Sequence, residues 1–301
     1  MTADSITLRA EALKTNRMGL AQHKMFLFWV ALAIVTWWPA LRTLVSAAIG
    51  DENFSYTLLV LGVSVVLLCI ERWPLPTKHW SLPALCVTLP MLAAAAWLNF
   101  RTPFRGGGSS LTISILLWIV FVLATLVRLY GWQGFSRLRF PLLFSLLAVP
   151  LPDRAISWLI TVLQWRSADA AYLLYRLFRV PVVRDGLVFS FSNIDIEVAR
   201  ECSGIRSTTI LFVTTLVIAQ LFLKSKWSRC IAVLVSLPVA VLKNGVRIFI
   251  LSVLGEYVST AWLDSWFHHQ GGFIFLALGL AMMLLLVRTL WRTENRQNRA
   301  H

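Results

Sequence analysis

The sequence predicts an all-α, polytopic integral membrane protein. Three observations carry that class. Of 301 residues, 58% are hydrophobic and only 14% charged, against roughly 45–50% and 25% in soluble domains. The apolar residues lie in long runs. The basic residues gather between those runs, with Lys+Arg 28 against Asp+Glu 14 and a net charge of +14. This composition excludes an ordinary soluble, a disordered and a collagen-like chain. The placement of the charge fits membrane topology and anionic lipid head groups, so no nucleic-acid partner is expected.

A span needs about 20 mostly apolar residues. About eight transmembrane helices are therefore expected, near 25–49, 54–70, 82–98, 111–130, 138–152, 208–223, 230–254 and 270–289. The first follows a basic tail, residues 1–24, and has no small-residue cleavage site behind it, so it reads as a retained anchor. Five basic clusters fall on one side of this topology: Arg9, Lys14, Arg17 and Lys24; Arg72 and Lys78; Arg128, Arg137 and Arg139; Lys224, Lys226 and Arg229; and Arg288, Arg292, Arg296 and Arg299. Because cytoplasmic loops are the basic ones, both termini are expected in the cytoplasm. Residues 25–291 form a single membrane-embedded domain in this reading, and 292–301 a second basic tail.

The outer side then receives Asp51-Glu52-Asn53, the loop 99–110 with Arg101, Arg105 and the flexible run Gly106-Gly107-Gly108, the segment 153–207, and residues 255–269. Within 154–179, Ile156, Leu159, Ile160 and Leu163 recur at helical spacing. Arg166 and Asp169 would be costly in mid-bilayer, so an interfacial amphipathic helix is predicted. From Val188 to Val198 the apolar residues alternate loosely, and Asp185-Gly186 signals a turn. A small β-hairpin on the outer surface is expected there. It leads the chain to Glu201-Cys202-Ser203-Gly204, at the start of the sixth span.

Topology brings three reactive groups to one depth near the outer face. Cys202 begins the sixth span, Arg247 lies near the outer end of the seventh, and His268 and His269 precede the eighth. A thiol at a helix N-terminus feels the positive end of the helix dipole, and a cation one turn on, such as Arg206, lowers its pKa further. A histidine can take the thiol proton and return it to a leaving amine. An arginine stays charged and can hold an oxyanion or a substrate carboxylate. Taken singly, each residue has a plainer reading. Cys202 reads as a small apolar residue, Arg247 as a side chain snorkelling to the interface, and the His pair as an interfacial polar patch. No spacing completes a zinc motif, and no GxxxxGK[ST] or GxGxxG occurs, so no metal or cofactor is expected. With no CxxC pair, Cys69, Cys86 and Cys230 read as core residues.

The words around these residues carry a resemblance. Val198-Ala199-Arg200-Glu201-Cys202-Ser203-Gly204-Ile205-Arg206-Ser207 resembles the signature of the exosortase/archaeosortase family. Leu242-Lys243-Asn244-Gly245-Val246-Arg247-Ile248 is similar to its Asn-x-x-Arg-Ile block. His268-His269-Gln270-Gly271-Gly272-Phe273 is similar to its third block, a His with Gly four residues on. Weaker matches are Asp51-Glu52-Asn53-Phe54-Ser55-Tyr56, where Tyr56 replaces the expected His, and Phe140-Pro141-Leu142-Leu143-Phe144 leading to Pro150-Leu151-Pro152. The blocks keep the family's order over roughly residues 50–280.

The resemblance implies a membrane-embedded cysteine transpeptidase of the bacterial inner membrane, with its site facing the periplasm. Its partners would be exported proteins that end in a Pro-Glu-Pro-type (PEP-CTERM) motif, a transmembrane helix and a basic cluster. It would also engage membrane lipids and a lipid or cell-envelope acceptor, in systems tied to exopolysaccharide. Cys202 would be the nucleophile. Arg247 would be the oxyanion or substrate clamp, or the proton donor. His268, with His269 as alternate, would be the proton shuttle or transition-state stabiliser. Glu201, Ser203, Gly204, Arg206, Asn244 and Gly272 would support them. Two other functions compete: a non-catalytic membrane subunit for polysaccharide or lipid export, and a Cys-dependent membrane acyltransferase.

Overall fold

The computed structural model describes residues 23–51, 54–71, 82–101, 104, 108–259 and 272–300, and for 82–87, 98–100, 201–202 and 298–300 it describes the backbone. Several sequence expectations lie outside the described residues: Arg9, Lys14, Arg17, Glu52, Asn53, Arg72, Lys78, Arg105, Gly106, Gly107, His268 and His269. The chain falls into two compact units, Met1–Asp153 and Arg154–His301.

In the first unit, α1 (His23–Thr36) and α2 (Trp38–Gly50) meet at a 72° bend. A single helix over 25–49 is the sequence expectation, and Pro39 explains the difference. Its ring cannot donate to the carbonyl four residues back and pushes it aside. The side chain of Trp37 fills the bend, is fully buried, and donates its indole N–H to the Ser114 carbonyl at 2.8 Å. Around it pack Ala33, Ala40, Leu44, Ala95, Leu111, Ile115, Ile119 and Phe121. Helix α3 (Ser55–Ile70) buries Thr57, Val60, Ser64 and Leu67, one helical face. Helix α4 (Leu82–Arg101) follows.

The run α5 (Ser109–Ser145) is interrupted at Gly131, whose φ of 65° and ψ of −176° are not helical. Only glycine takes that conformation cheaply. The two halves correspond to the expected helices near 111–130 and 138–152, and a 3₁₀ turn, Leu146–Ala148, ends the second. A cleft of about 560 Å³ gathers Asp51 with Arg42 and Asp153 beside Phe54 and Phe104.

The helix α6 (Asp153–Leu177), in the second unit from Arg154 on, buries Ile156, Ile160, Leu163, Gln164, Ser167, Ala168, Ala171 and Tyr175. Arg166 and Asp169 lie on its exposed face, paired at 3.5 Å. The amphipathic pattern predicted for 154–179 is thus realised. The expected hairpin gains a strand. Strands β1 (Val183–Asp185), β2 (Val188–Ser190) and β3 (Asp195–Glu197) form an antiparallel sheet in that order, with Arg184 opposite Phe189 and Phe189 opposite Ile196. Gly186 opens the two-residue β1–β2 loop at a φ of 61°, as a II′ hairpin turn requires. A second turn, closed by Phe191 N–H to the Ile194 carbonyl at 2.9 Å, returns β3.

The sheet is fixed to helices on both sides. Arg184 donates to Asp169 of α6 at 2.9 Å and lies over the Tyr172 and Phe189 rings. Asn193 donates to Glu256 at 2.8 Å. Under the sheet, Tyr175 packs among Phe189, Phe191 and Phe249, and burial pushes its phenol up to about 12.

Helices α7 (Ile205–Phe222), α8 (Lys226–Tyr257) and α9 (Gly272–Ala300) pack on one another. Leu211, Ala240 and Met283 form one shared core, and Ala219, Leu223, Ala232 and Val287 another. Near the end of α9 the carboxylate of Glu294, 7% exposed, accepts the Lys224 and Ser225 amides at 2.9 and 3.1 Å. It thereby occupies the N-terminus of α8, where negative charge is favoured. The helix runs on through the expected basic tail to Ala300, its strong helix formers and last-turn cations suiting the dipole.

In each of the eight apolar runs the described residues are mainly helical, although the fifth leaves the helix after Ala148. Among the described residues, four helices are long and apolar enough to cross a membrane, Ser109–Ala148, Ile205–Phe222, Lys226–Tyr257 and Gly272–Gln297, or five if the bent α1–α2 pair counts as one, against the eight spans expected from the sequence. Ser55–Ile70 and Thr88–Trp97 are shorter apolar helices.

Candidate functional site

Cys202 lies in a one-turn 3₁₀ helix, Arg200–Ser203, that enters α7. The junction is Gly204, at φ 69° and ψ 20°, which ends the turn and is the N-cap of α7. That left-handed conformation costs any residue with a Cβ about 1–2 kcal/mol. Space excludes a side chain as well: a Cβ on Gly204 would sit 2.7 Å from Asn244 Oδ1 and 2.8 Å from its Cγ. The bare backbone therefore lies directly on Asn244, and the turn packs on α8.

Asn244 is itself held. It is buried, and its Nδ2 donates to Ser167 Oγ of α6 at 3.0 Å. The next residue, Gly245, lets α6 approach α8, since a Cβ there would meet the Ala170 Cβ at 2.6 Å. One turn further along α8 comes half-buried Arg247. Lys243 is 2% exposed and donates to Ser207 Oγ in the first turn of α7. Ser207 Oγ in turn donates to the Gly204 carbonyl at 3.1 Å. From α9, Gly279 passes over the lysine stem, where a Cβ would stand 3.2 Å from Lys243 Cδ.

The turn is braced from below too. Gln164 of α6 donates to the Val198 carbonyl at 3.0 Å, and Arg200 donates to Ser157 Oγ at 3.2 Å. Ser203 is 1% exposed, and its Oγ has no hydrogen-bond partner among the described residues. Arg206 is exposed on α7. Among the described residues, nothing lies within 4 Å of where a Cβ on Gly272, first in α9, would stand. Of the residues singled out in the sequence, the structure thus joins the Cys202 turn, Ser203, Gly204 and Asn244. It carries Arg247 on the same helix as Asn244. Among the described residues, no cluster of His, Cys, Asp and Glu has the make-up of a metal site.

The sequence profile of the transmembrane exosortase family matches residues 37–286. The chain belongs to that family. Its members are membrane protein-sorting enzymes of the cysteine-protease type that act on exported proteins with PEP-CTERM tails. The match covers all of α2 to α8 and the first half of α9, so both compact units are part of the family's fold. No curated protein and no solved structure matches the chain.

Sequence reading did not single out Lys243, Ser207, Ser167 or Gly279. A lysine inside a span is itself a signal, because burying an ammonium there is costly. The partners of the other three depend on packing between helices distant in sequence.

Proposed function

We propose that the protein is a membrane cysteine endopeptidase and transpeptidase that removes the C-terminal sorting tail of exported proteins. The observation supporting this reading most directly is the Gly204–Asn244 contact. It fixes the turn bearing Cys202 on α8, the helix that also bears Arg247.

In the proposed reaction, the Cys202 thiolate attacks the scissile carbonyl carbon. The Arg247 guanidinium stabilises the oxyanion of the tetrahedral intermediate with paired donors. His268, with His269 as alternate, protonates the leaving amine as the C–N bond breaks, leaving a thioester on Cys202. An amine of a cell-envelope acceptor, or water, then attacks the thioester and loses a proton to the histidine, and the thiolate leaves. Glu201 and Arg206 flank the nucleophile in this scheme, and Gly272 begins the helix that follows the histidines. The site faces the periplasm of the inner membrane, within eight crossings and with both termini cytoplasmic.

The test is an immunoblot of a tagged substrate carrying a Pro-Glu-Pro-type tail. It is co-expressed with wild type, Cys202→Ala or Arg247→Lys at matched membrane levels. Processing by wild type and its loss in Cys202→Ala are expected. Arg247→Lys should fall steeply, since an ammonium cannot reproduce bidentate donation. Equal processing by wild type and Cys202→Ala would overturn the assignment.

A further inference from the structure

Among the described residues, Lys243 is the buried cation beside the Cys202 turn that this scheme does not use. It is 2% exposed in the middle of α8, where an ammonium is costly unless it has a task. Its neighbours explain how it is accommodated. Ser207 accepts its Nζ–H, Gly279 leaves room for its stem, and Leu211 lies alongside Gly279. No carboxylate forms an ion pair with it among the described residues.

The contact leads straight to the Cys202 turn. Lys243 Nζ donates to Ser207 Oγ, and Ser207 Oγ donates to the Gly204 carbonyl, two residues after Cys202. The adjacent Asn244 lies against the Cα of the same glycine. Two consecutive residues of α8 therefore clamp the N-cap of α7. One does so by contact and the other through a charged hydrogen-bond relay.

The electrostatic sense of this arrangement is uniform. The N-terminus of α7, the Lys243 ammonium and the Arg247 guanidinium one turn away are all positive, in a weakly screened setting. Such a field is unfavourable for its own members and favourable for an anion placed among them. We infer that Lys243 is a positioning residue: through Ser207 it fixes the first turn of α7, and its charge keeps the Cys202 sulfur as thiolate. This deepens the proposed function and rests on Cys202 being the nucleophile.

The test reads the thiol without a substrate. Full-length protein in lipid nanodiscs is alkylated with iodoacetamide across pH 5–10, and the Cys202 peptide is quantified by mass spectrometry. The charged groups near the turn are Arg200 on it, Arg206 on α7 and Arg247 on α8. Glu201 is the titratable neighbour in the chain, His268 is the histidine of the proposed reaction, and α6 and α9 present Ser167 and Gly279. None of these changes between wild type and the Lys243 variants, so a difference in profile isolates the lysine.

The wild-type midpoint should lie below the ordinary thiol value of about 8.5. In Lys243→Met it should rise by about one pH unit, and Lys243→Arg should restore it. A wild-type midpoint at the ordinary value would overturn the inference. So would an unmoved midpoint in a folded Lys243→Met protein that had lost processing, since that pattern marks a purely structural lysine. If Lys243→Met does not fold, Lys243→Arg decides, because a midpoint risen to the ordinary value despite the retained charge overturns the inference. Failure here with tail processing intact leaves the sorting reading standing. A low, lysine-dependent midpoint with no processing of any tail supports Lys243 and counts against sorting.

Discussion

Replacing Gly204 by alanine challenges the site at its tightest point. The backbone would keep a φ of 69°, at about 1–2 kcal/mol for a residue with a Cβ. The new methyl would stand 2.7 Å from Asn244 Oδ1, while ordinary contact begins near 3.4 Å, so the amide must retreat by about 0.7 Å. That retreat breaks the 3.0 Å bond from Asn244 to Ser167, and a buried polar group left unpaired costs about 1–3 kcal/mol. The expected destabilisation is therefore about 2–5 kcal/mol. A double-mutant cycle measured by reversible unfolding in mixed micelles tests the mechanism. Asn244→Ala alone should cost about 1–3 kcal/mol. Once that side chain is gone, Gly204→Ala adds only the backbone term, so the double variant should be at least about 1 kcal/mol more stable than the sum of the singles. A Gly204→Ala protein within about 0.5 kcal/mol of wild type, or strict additivity, would refute the reasoning.

Two further substitutions probe the packing that supports the site. Gly245→Ala should prise α6 from α8, because its methyl would lie 2.6 Å from the Ala170 Cβ. Limited proteolysis of segment 153–200 should accelerate in that variant and recover partly when Ala170→Gly is added. Glu294→Ala removes the acceptor of two backbone amides at the start of α8. It should lower stability by about 1–3 kcal/mol, read as a fall in the thermal midpoint in detergent, with Glu294→Gln intermediate because it keeps an acceptor without the charge.

Helix identity was legible because apolar runs and amphipathic periodicity are local properties. Each run became a helix, and the 154–179 pattern buried the face it predicted. The break at Trp37 was written as Pro39 but hidden inside an otherwise uniform apolar run. The third strand was missed because three residues, Asp195–Glu197, carry too little alternation to announce themselves. In the candidate site, the junction Gly204 and the block around Asn244 were visible as words, while their mutual contact was not. No local pattern tells that residue 204 lies on residue 244, or that Ser207 bridges a lysine to a glycine carbonyl. Those facts arise only when α6, α7 and α8 pack together.

The Glu294 carboxylate also bears on the timing of synthesis. It satisfies amides of a turn made 70 residues earlier in the chain. At about 5–20 residues per second, some 4–14 seconds separate the two ends of that bond on the ribosome. Throughout that interval the start of α8 must borrow its hydrogen bonds from water, or from whatever escorts the nascent chain. The α7–α8 hairpin can insert before α9 exists, yet it acquires its final N-terminal partner only after the next helix has been built.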